Sequence, residues 1–289
     1  MSDNIPDSSK KLLQWVIDYI ELDESVNEIQ SLAYIVVEHM FSINKSEIIT
    51  DRSININSSQ LKKLKKFLDR INKSEPIQYI LGEAEFYGRQ YIVSPGILIP
   101  RNETEELVNL IIQDYKEKKI KVLDVGTGSG CIPITLVKEL KLTKAYAIDF
   151  DPRVIKIARQ NAAKHQVDID FLMIDILKEK IPIHGLDVIV SNPPYITQSE
   201  KSEMKANVLG YEPSTALFVT DEDPLIFYKR IALIGRESLR EDGKLYFEIN
   251  EKFGQQVAQM LEQNGYKNIE LIADLNGKDR IVKASNSLT

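Results

Sequence analysis

The stretch Val122-Leu123-Asp124-Val125-Gly126-Thr127-Gly128-Ser129-Gly130 decides the fold. Apolar residues set around one acid make a short strand, and three glycines at alternate positions then let the backbone turn and approach a ligand before a helix begins near Cys131. Outward from this loop, beyond Lys119, short apolar strands alternate with helical stretches. The strands are expected over 120–125, 145–149, 168–174, 186–191, 243–249, 268–273 and 280–283. Such alternation predicts right-handed crossovers and a mainly parallel sheet covered on both faces. Residues 274–279 are too few for a helical crossover, so the last strand should enter antiparallel. The expected class is therefore α/β, with a Rossmann-like, seven-stranded, mostly parallel sheet.

Upstream, apolar residues recur at helical spacing. They are Leu13, Val16, Ile17 and Ile20, then Ile29, Leu32, Val36 and Met40, then Leu61, Leu64, Leu68 and Ile71. This predicts a small all-α N-terminal domain over 1–82, with Asn44 and Ser59 as helix caps. Residues 83–100 change to aromatic and β-branched character broken by Gly88 and Pro95-Gly96, which reads as a β-hairpin linker. The third domain then spans 101–289. Asn102 with Glu105 has the chemistry of a capping box, opening a helix that buries Leu107, Leu110 and Ile111.

The loop spacing is G-x-G-x-G with Asp124 at its entrance, whereas a dinucleotide loop is spaced G-x-G-x-x-G and places pyrophosphate at the helix N-terminus. A carboxylate at Asp124 would repel pyrophosphate and suit a ligand carrying an ammonium and a sulfonium. S-adenosylmethionine is thus preferred over NAD. Asp149 ends the next strand, where a carboxylate can accept from both ribose hydroxyls. The cofactor set is Asp124, Gly126, Thr127, Gly128, Ser129, Gly130, Asp149, Phe150, Asp175 and Asn192. Asp175 can reach an adenine amino group or simply cap its own turn. Cys131 reads as a small packing residue.

Ser191-Asn192-Pro193-Pro194-Tyr195 ends the fourth strand on the same sheet edge as the glycine loop. Consecutive prolines stop the ladder and leave the Pro193 carbonyl without a strand partner. The Asn192 side-chain oxygen and that carbonyl can accept both N–H bonds of a planar nitrogen and aim its lone pair at a methyl donor. Orientation of this kind supplies roughly 7–11 kcal/mol without a strong base. Asn192, Pro193, Pro194 and Tyr195 are therefore the expected catalytic and acceptor residues, with Tyr195 as an aromatic wall. Arg101 and Glu103 are candidates for the acceptor site, or else a surface ion pair.

Length and composition set limits on all this. At 289 residues, more than one domain is expected, and 43% apolar with 28% charged residues is ordinary for a packed globular chain. A net charge of −6 disfavours coating of nucleic acid by bulk electrostatics. The single cysteine precludes an intramolecular disulfide, and no apolar run approaches the roughly 18 residues of a span, so a cytoplasmic protein with no membrane partner is expected. His39, His165 and His184 lack ligand spacing and no metal site is expected. Lys62, Lys63, Lys65 and Lys66 read as the solvated face of a helix.

The motifs resemble those of the PrmC/HemK family, the N5-glutamine methyltransferases of class 1 peptide chain release factors. The resemblance covers most of the chain. It is carried by Pro76-Ile-Gln-Tyr-Ile-Leu-Gly82-Glu83 and Glu85-Phe-Tyr-Gly88, by Leu98-Ile-Pro-Arg101-Asn-Glu103-Thr-Glu105, and by Asn192-Pro-Pro-Tyr195. Glu212-Pro213, Ala216-Leu217 and the closing 274–280 segment also match. It implies an S-adenosylmethionine-dependent enzyme, with S-adenosylhomocysteine as product. It also implies methylation of the glutamine in the GGQ loop of a release factor, gripped by Asn192 and Pro193 and bound partly through the N-terminal domain. Two departures are Asn102, where the family usually has proline, and Asp223-Pro224-Leu225, which replaces an Asp-Gly-Leu turn. The residues themselves leave two other readings open: an adenine-N6 methyltransferase acting on DNA or RNA, and a non-catalytic module that retains the fold. The acidic balance disfavours the first and the intact Asn192 and glycine loop the second.

Overall fold

In the computed structural model residues 5–116, 118–140 and 144–287 are described; the ends of the expected domains, 1–4 and 288–289, lie outside the described residues. The first helices are α1 (Ser9–Tyr19), α2 (Val26–Phe41), α3 (Lys45–Ile49), α4 (Ser58–Ile71) and α5 (Ile77–Leu81). A hairpin of β1 (Glu83–Phe86) and β2 (Arg89–Ile92) leads to α6 (Asn102–Tyr115) and β3 (Lys121–Val125). Alternation follows through α7 (Cys131–Leu140), β4 (Lys144–Asp149), α8 (Pro152–Lys164), β5 (Ile169–Met173) and β6 (Leu186–Ser191). Next come β7 (Ile196–Thr197), α9 (Ala206–Tyr211), α10 (Ser214–Leu217) and β8 (Phe218–Val219). The last elements are α11 (Ile226–Ser238), β9 (Leu239–Glu248), α12 (Gly254–Gln263), β10 (Lys267–Ala273) and β11 (Asp279–Ser285).

Two compact units result. One joins the helices up to Gly82 with Lys205–Tyr211, and the other takes Glu83–Met204 and the chain from Glu212 onward. In the helical unit Leu12, Val16, Val36, Val37, Leu64 and Leu68 are fully buried. The buried stripe of α1 thus runs through Leu12 and Val16, and Leu13 and Ile17 are only half-buried beside it. Asn44 caps α3 as expected, in a reciprocal box with Glu47. The cap of α4 is Asn57 and not Ser59: the Asn57 side chain accepts from the Gln60 backbone and Gln60 returns the bond. Ser59 already lies inside the helix, where a short side chain has no orphan N–H ahead of it to accept from. Lys62, Lys63 and Lys66 are exposed on α4. The α9 segment ties into this unit through Tyr211, whose hydroxyl donates to the Lys73 carbonyl at 2.9 Å, and through Lys205, 3.0 Å from Glu24.

In the larger unit, the strand order is β10-β11-β9-β6-β3-β4-β5. Only β11 runs antiparallel, paired with β10 on one side and β9 on the other. Alternate residues of each strand face opposite layers. Val122, Val188, Val190 and Tyr246 pack under α6, α7 and α8 with Leu107, Ile134 and Ala158. Leu123, Ile189, Leu245 and Phe247 pack on α11 and α12 with Ile231, Val257 and Leu261. β9 starts at Leu239, four residues before the expected 243, because Leu239 already pairs with Leu186 of β6, ahead of an irregularity in the register that contains Asp242 with its positive φ. The short parallel pair β7–β8 was not expected from the sequence.

Tyr87 and Gly88 form the hairpin turn, both with positive φ, as a two-residue primed turn requires. Glu105 accepts the Tyr87 backbone N–H at 2.7 Å, so it is not free to close a capping box. Asn102 is accordingly the first residue of α6 and no cap; Arg101 occupies the cap position without a side-chain bond to the helix end. Asn161 on α8 is fully buried and clamps the hairpin to the glycine loop, accepting from the Ile92 N–H at 2.7 Å and donating to the Ile92 and Ser129 carbonyls. None of the helices among the described residues is long and apolar enough to cross a membrane.

Candidate active site

The sheet reverses direction of growth between β3 and β6: the chain winds outward from β3 through β4 to β5, then returns to lay β6 on the other side of β3. Ligands of open α/β sheets bind in the crevice at such a point, beyond the carboxyl ends of the strands. Val125 and Ser191 end the two strands in register, and the Ser191 hydroxyl donates to the Val125 carbonyl at 2.7 Å. The glycine loop and Asn192-Pro193-Pro194 therefore leave the sheet side by side. Both line a cavity of about 380 Å³, within the usual range for a small-molecule site.

Gly126, Gly128 and Gly130 all have positive φ, so only glycine turns this loop without strain. At Gly130 a side chain would also press on Ile134 and Ala158, the helix contact that lets α7 start against α8. The Gly128 N–H donates to one oxygen of Asp149 and the Asp151 N–H to the other, which fixes the carboxylate at the cavity wall with lone pairs to spare. Burial holds its pKa above the ordinary value. Asp124, for which the sequence leaves open direct cofactor contact or ordering of the glycine loop, is fully buried and is not among the residues that line the cavity. No hydrogen bond of good geometry ends on either of its oxygens or on the Thr127 and Ser129 hydroxyls beside the cavity, although the Thr127 hydroxyl lies close enough to lower the Asp124 pKa and the Ser129 hydroxyl that of Cys131. Burial pushes the Asp124 carboxyl up to about 7. Orphaned groups of this kind are rare in a finished interior and mark a place completed by a ligand or water.

Phe150 projects half-exposed at the cavity wall. Asp175 lines it too, yet accepts from the Leu177 N–H and pairs with Lys178, which holds its carboxyl below the usual range. It therefore both caps its own turn and faces the cavity. Cys131 lines the cavity as a neutral thiol, pushed up to about 12 by burial. His165 and His184 each bond a backbone carbonyl, of Gln90 and Glu237.

On the β6 side, the Asn192 amide nitrogen donates to the Thr104 hydroxyl at 3.0 Å. That leaves its oxygen without a partner among the described residues, and no backbone bond ends on the Pro193 carbonyl. Tyr195 does not line the cavity: its hydroxyl donates instead to Glu248 at 3.1 Å, while Asn250 donates to its carbonyl. A phenol buried beside a carboxylate binds it more strongly than it serves as an exposed wall. Glu103 is also absent from the lining. Arg101 does line the cavity, but its ion-pair partner is the buried Glu212, 2.6 Å away, and not Glu103. Glu212 and Thr104 fall inside stretches that carry the family resemblance, but the sequence assigned neither a role; Glu248 was not singled out, because a lone acid outside any motif gives no local signal.

Comparison with known proteins agrees with this geometry. Residues 11–82 match the model of the PrmC N-terminal domain and residues 102–211 that of the methyltransferase small domain. A release factor glutamine methyltransferase of Bacteroides thetaiotaomicron is 45% identical over 259 residues, covering 89% of this chain and 93% of the relative. Its counterpart in Flavobacterium psychrophilum is 40% identical over 262 residues, covering 89% and 92%. Among solved structures, a methyltransferase from Pyrococcus furiosus shares the fold, with a TM-score of 0.52 at 15% identity over 76% of this chain and 98% of that one. With near full-length identity of this order on both sides, the chain belongs to the release factor glutamine methyltransferase family.

Proposed function

We propose that this chain transfers a methyl group from S-adenosylmethionine to the side-chain amide nitrogen of the glutamine in the GGQ motif of class 1 peptide chain release factors, leaving S-adenosylhomocysteine. The observation that carries the reading is the pair of unpartnered acceptors, the Asn192 oxygen and the Pro193 carbonyl, at the wall of a cavity shared with the glycine loop.

The residues present fit the cofactor. The loop 126–130 offers backbone without side chains in the way, Asp149 offers fixed acceptors for ribose hydroxyls, and the orphaned Thr127 and Ser129 hydroxyls await polar partners. Asp124, buried behind them, contributes negative potential to a cationic ligand and does not touch it directly. Phe150 and Asp175 would meet the adenine. Bound there, S-adenosylmethionine supplies an electrophilic methyl group on a sulfonium sulfur.

A primary amide is a poor nucleophile because its nitrogen lone pair is delocalised into the carbonyl. Two acceptors that take its two N–H bonds hold that nitrogen in place with its lone pair, which stands perpendicular to the amide plane, aimed at the methyl group. The N–C bond would form as the lone pair attacks the methyl carbon and the C–S bond breaks, its electron pair going to sulfur to leave neutral S-adenosylhomocysteine, and the nitrogen, now acidic, would give a proton to water. No strong general base is needed, since orientation provides the larger share of the acceleration.

The test is transfer of labelled methyl from S-adenosylmethionine to three acceptors: a purified class 1 release factor, the same factor with the GGQ glutamine replaced, and oligonucleotides. Label is expected on the first alone. Label on oligonucleotide and not on release factor would overturn the reading in favour of adenine-N6 transfer.

A further inference from the structure

Asn192 can serve as an acceptor only if its amide is held the right way round. Rotated by half a turn, the same side chain would present an NH₂ group to the incoming nitrogen and repel it. Nothing in the local motif sets that choice, since prolines fix the backbone and not the amide torsion. The choice is made by Thr104, which lines the same cavity, and by Glu248 behind it. Thr104, on the first turn of α6 and 3% exposed, donates its hydroxyl to one oxygen of Glu248 at 2.6 Å. Glu248, at the end of β9 and 1% exposed, receives the Tyr195 hydroxyl on its other oxygen at 3.1 Å. An ionised carboxylate accepts and never donates, so the Thr104 proton must point to Glu248. Only lone pairs of Thr104 then face Asn192, which must answer with its nitrogen, as the 3.0 Å bond records.

We propose that Thr104 and Glu248 are positioning residues for methyl transfer, a polarised relay that locks the Asn192 amide with its oxygen toward the acceptor nitrogen. This rests on the reading of Asn192 as the acceptor-binding group. The relay has a direction because it terminates in a charge, and protonation of Glu248 removes that direction: a carboxylic acid can donate to Thr104, whose hydroxyl then no longer has to keep its lone pairs toward Asn192. The groups facing Glu248 decide where this happens. Burial raises its pKa, the Thr104 and Tyr195 hydroxyls lower it, Arg280 lowers it by charge, and Glu103 raises it. The Tyr228 hydroxyl bonds the Glu248 carbonyl and not its carboxylate. Arg280 is itself committed to Asp274 at 3.1 Å.

Four variants test the relay in the full chain, with turnover on release factor, S-adenosylmethionine affinity by calorimetry and melting temperature as readouts. Thr104→Val should lower kcat by about a hundredfold, as expected for a misplaced reacting group, with cofactor affinity unchanged. Thr104→Ser, which keeps the hydroxyl, should restore kcat. Tyr195→Phe deletes a donor that stabilises the Glu248 carboxylate, so the acid limb of its kcat profile should move to higher pH. Asn192→Ala separates the two claims. If it keeps wild-type turnover, the acceptor reading fails and takes the relay with it. If it is inactive while Thr104→Val keeps wild-type kcat, the relay alone is overturned. A Thr104→Ser variant as slow as Thr104→Val would assign the effect to packing, and an unmoved acid limb in Tyr195→Phe would show that Glu248 does not carry it. Either result contradicts the proposal, and the second holds even if the valine variant fails to fold.

Discussion

The two walls of the cavity are built in opposite ways. On the β6 side every polar atom behind Asn192 is committed: its nitrogen to Thr104, Thr104 to Glu248, and the second Glu248 oxygen to Tyr195. On the β3 side Asp124, Thr127 and Ser129 are buried without partners. A satisfied network is rigid and holds geometry in advance of any ligand, whereas unpartnered buried groups raise the free energy of the empty protein and are relieved on binding. One wall is therefore organised to orient an acceptor, and the other stores affinity for a charged ligand. Mutations on the first should act on turnover, and on the second on binding and stability.

The largest effect should come from Asn192→Ala. Removing one of two acceptors that orient the nitrogen is expected to lower kcat by roughly a hundred- to a thousandfold, measured by label transfer to release factor at saturating cofactor. Turnover within a few-fold of wild type would break the contrast on its first side.

Next in size is the pH dependence of the empty protein. Asp124 titrates at an ordinary 3.8 when unfolded and is pushed up to about 7 when folded. The folded state thus binds the extra proton between these values, so stability present at low pH is lost as pH rises through 7. Asp124→Asn removes the charge, and should stabilise the ligand-free protein at pH 8 by on the order of 2–4 kcal/mol, an advantage that fades toward pH 4. Urea unfolding at the two pH values measures it, and an equal effect at both would show that Asp124 is not desolvated.

Asp149→Ala should weaken S-adenosylmethionine binding by about ten- to a hundredfold through loss of the ribose acceptors, with a smaller change in kcat at saturation. The smallest effect is a control placed in the helical unit. Asn57→Ala removes the cap of α4 and should cost about 1 kcal/mol of stability without altering cofactor affinity, read by denaturant unfolding and calorimetry in parallel.

The β3 wall was legible in the sequence because its determinants are contiguous: a buried strand, glycines at alternate positions and an acid at the entrance. The seven strands and the antiparallel β11 followed from the same apolar patterning and from the short 274–279 turn. The β6 wall was legible only in part. Asn192-Pro193-Pro194 announced two free acceptors, but the groups proposed to aim Asn192 come from α6 and β9, 144 residues apart in sequence; Glu248 carries no local signature, and Thr104, though inside the Leu98–Glu105 stretch, carries none of this role. Tyr195 looked like a wall for a flat ligand because its partner was invisible. The misread cap at Asn102 has the same origin, since Glu105 is drawn away by a backbone N–H of the hairpin turn. Local chemistry predicts what a segment can do, and tertiary partners decide which of those options remains.

The division between the walls is tested most directly by calorimetric titration of S-adenosylmethionine into Asn192→Ala. A dissociation constant within about threefold of wild type is expected, equivalent to under about 1 kcal/mol, because the residues proposed to hold the cofactor lie on the other side, from the glycine loop to Asp175. Loss of binding in that variant would contradict the assignment of Asn192 to the acceptor and place it among the cofactor's own ligands.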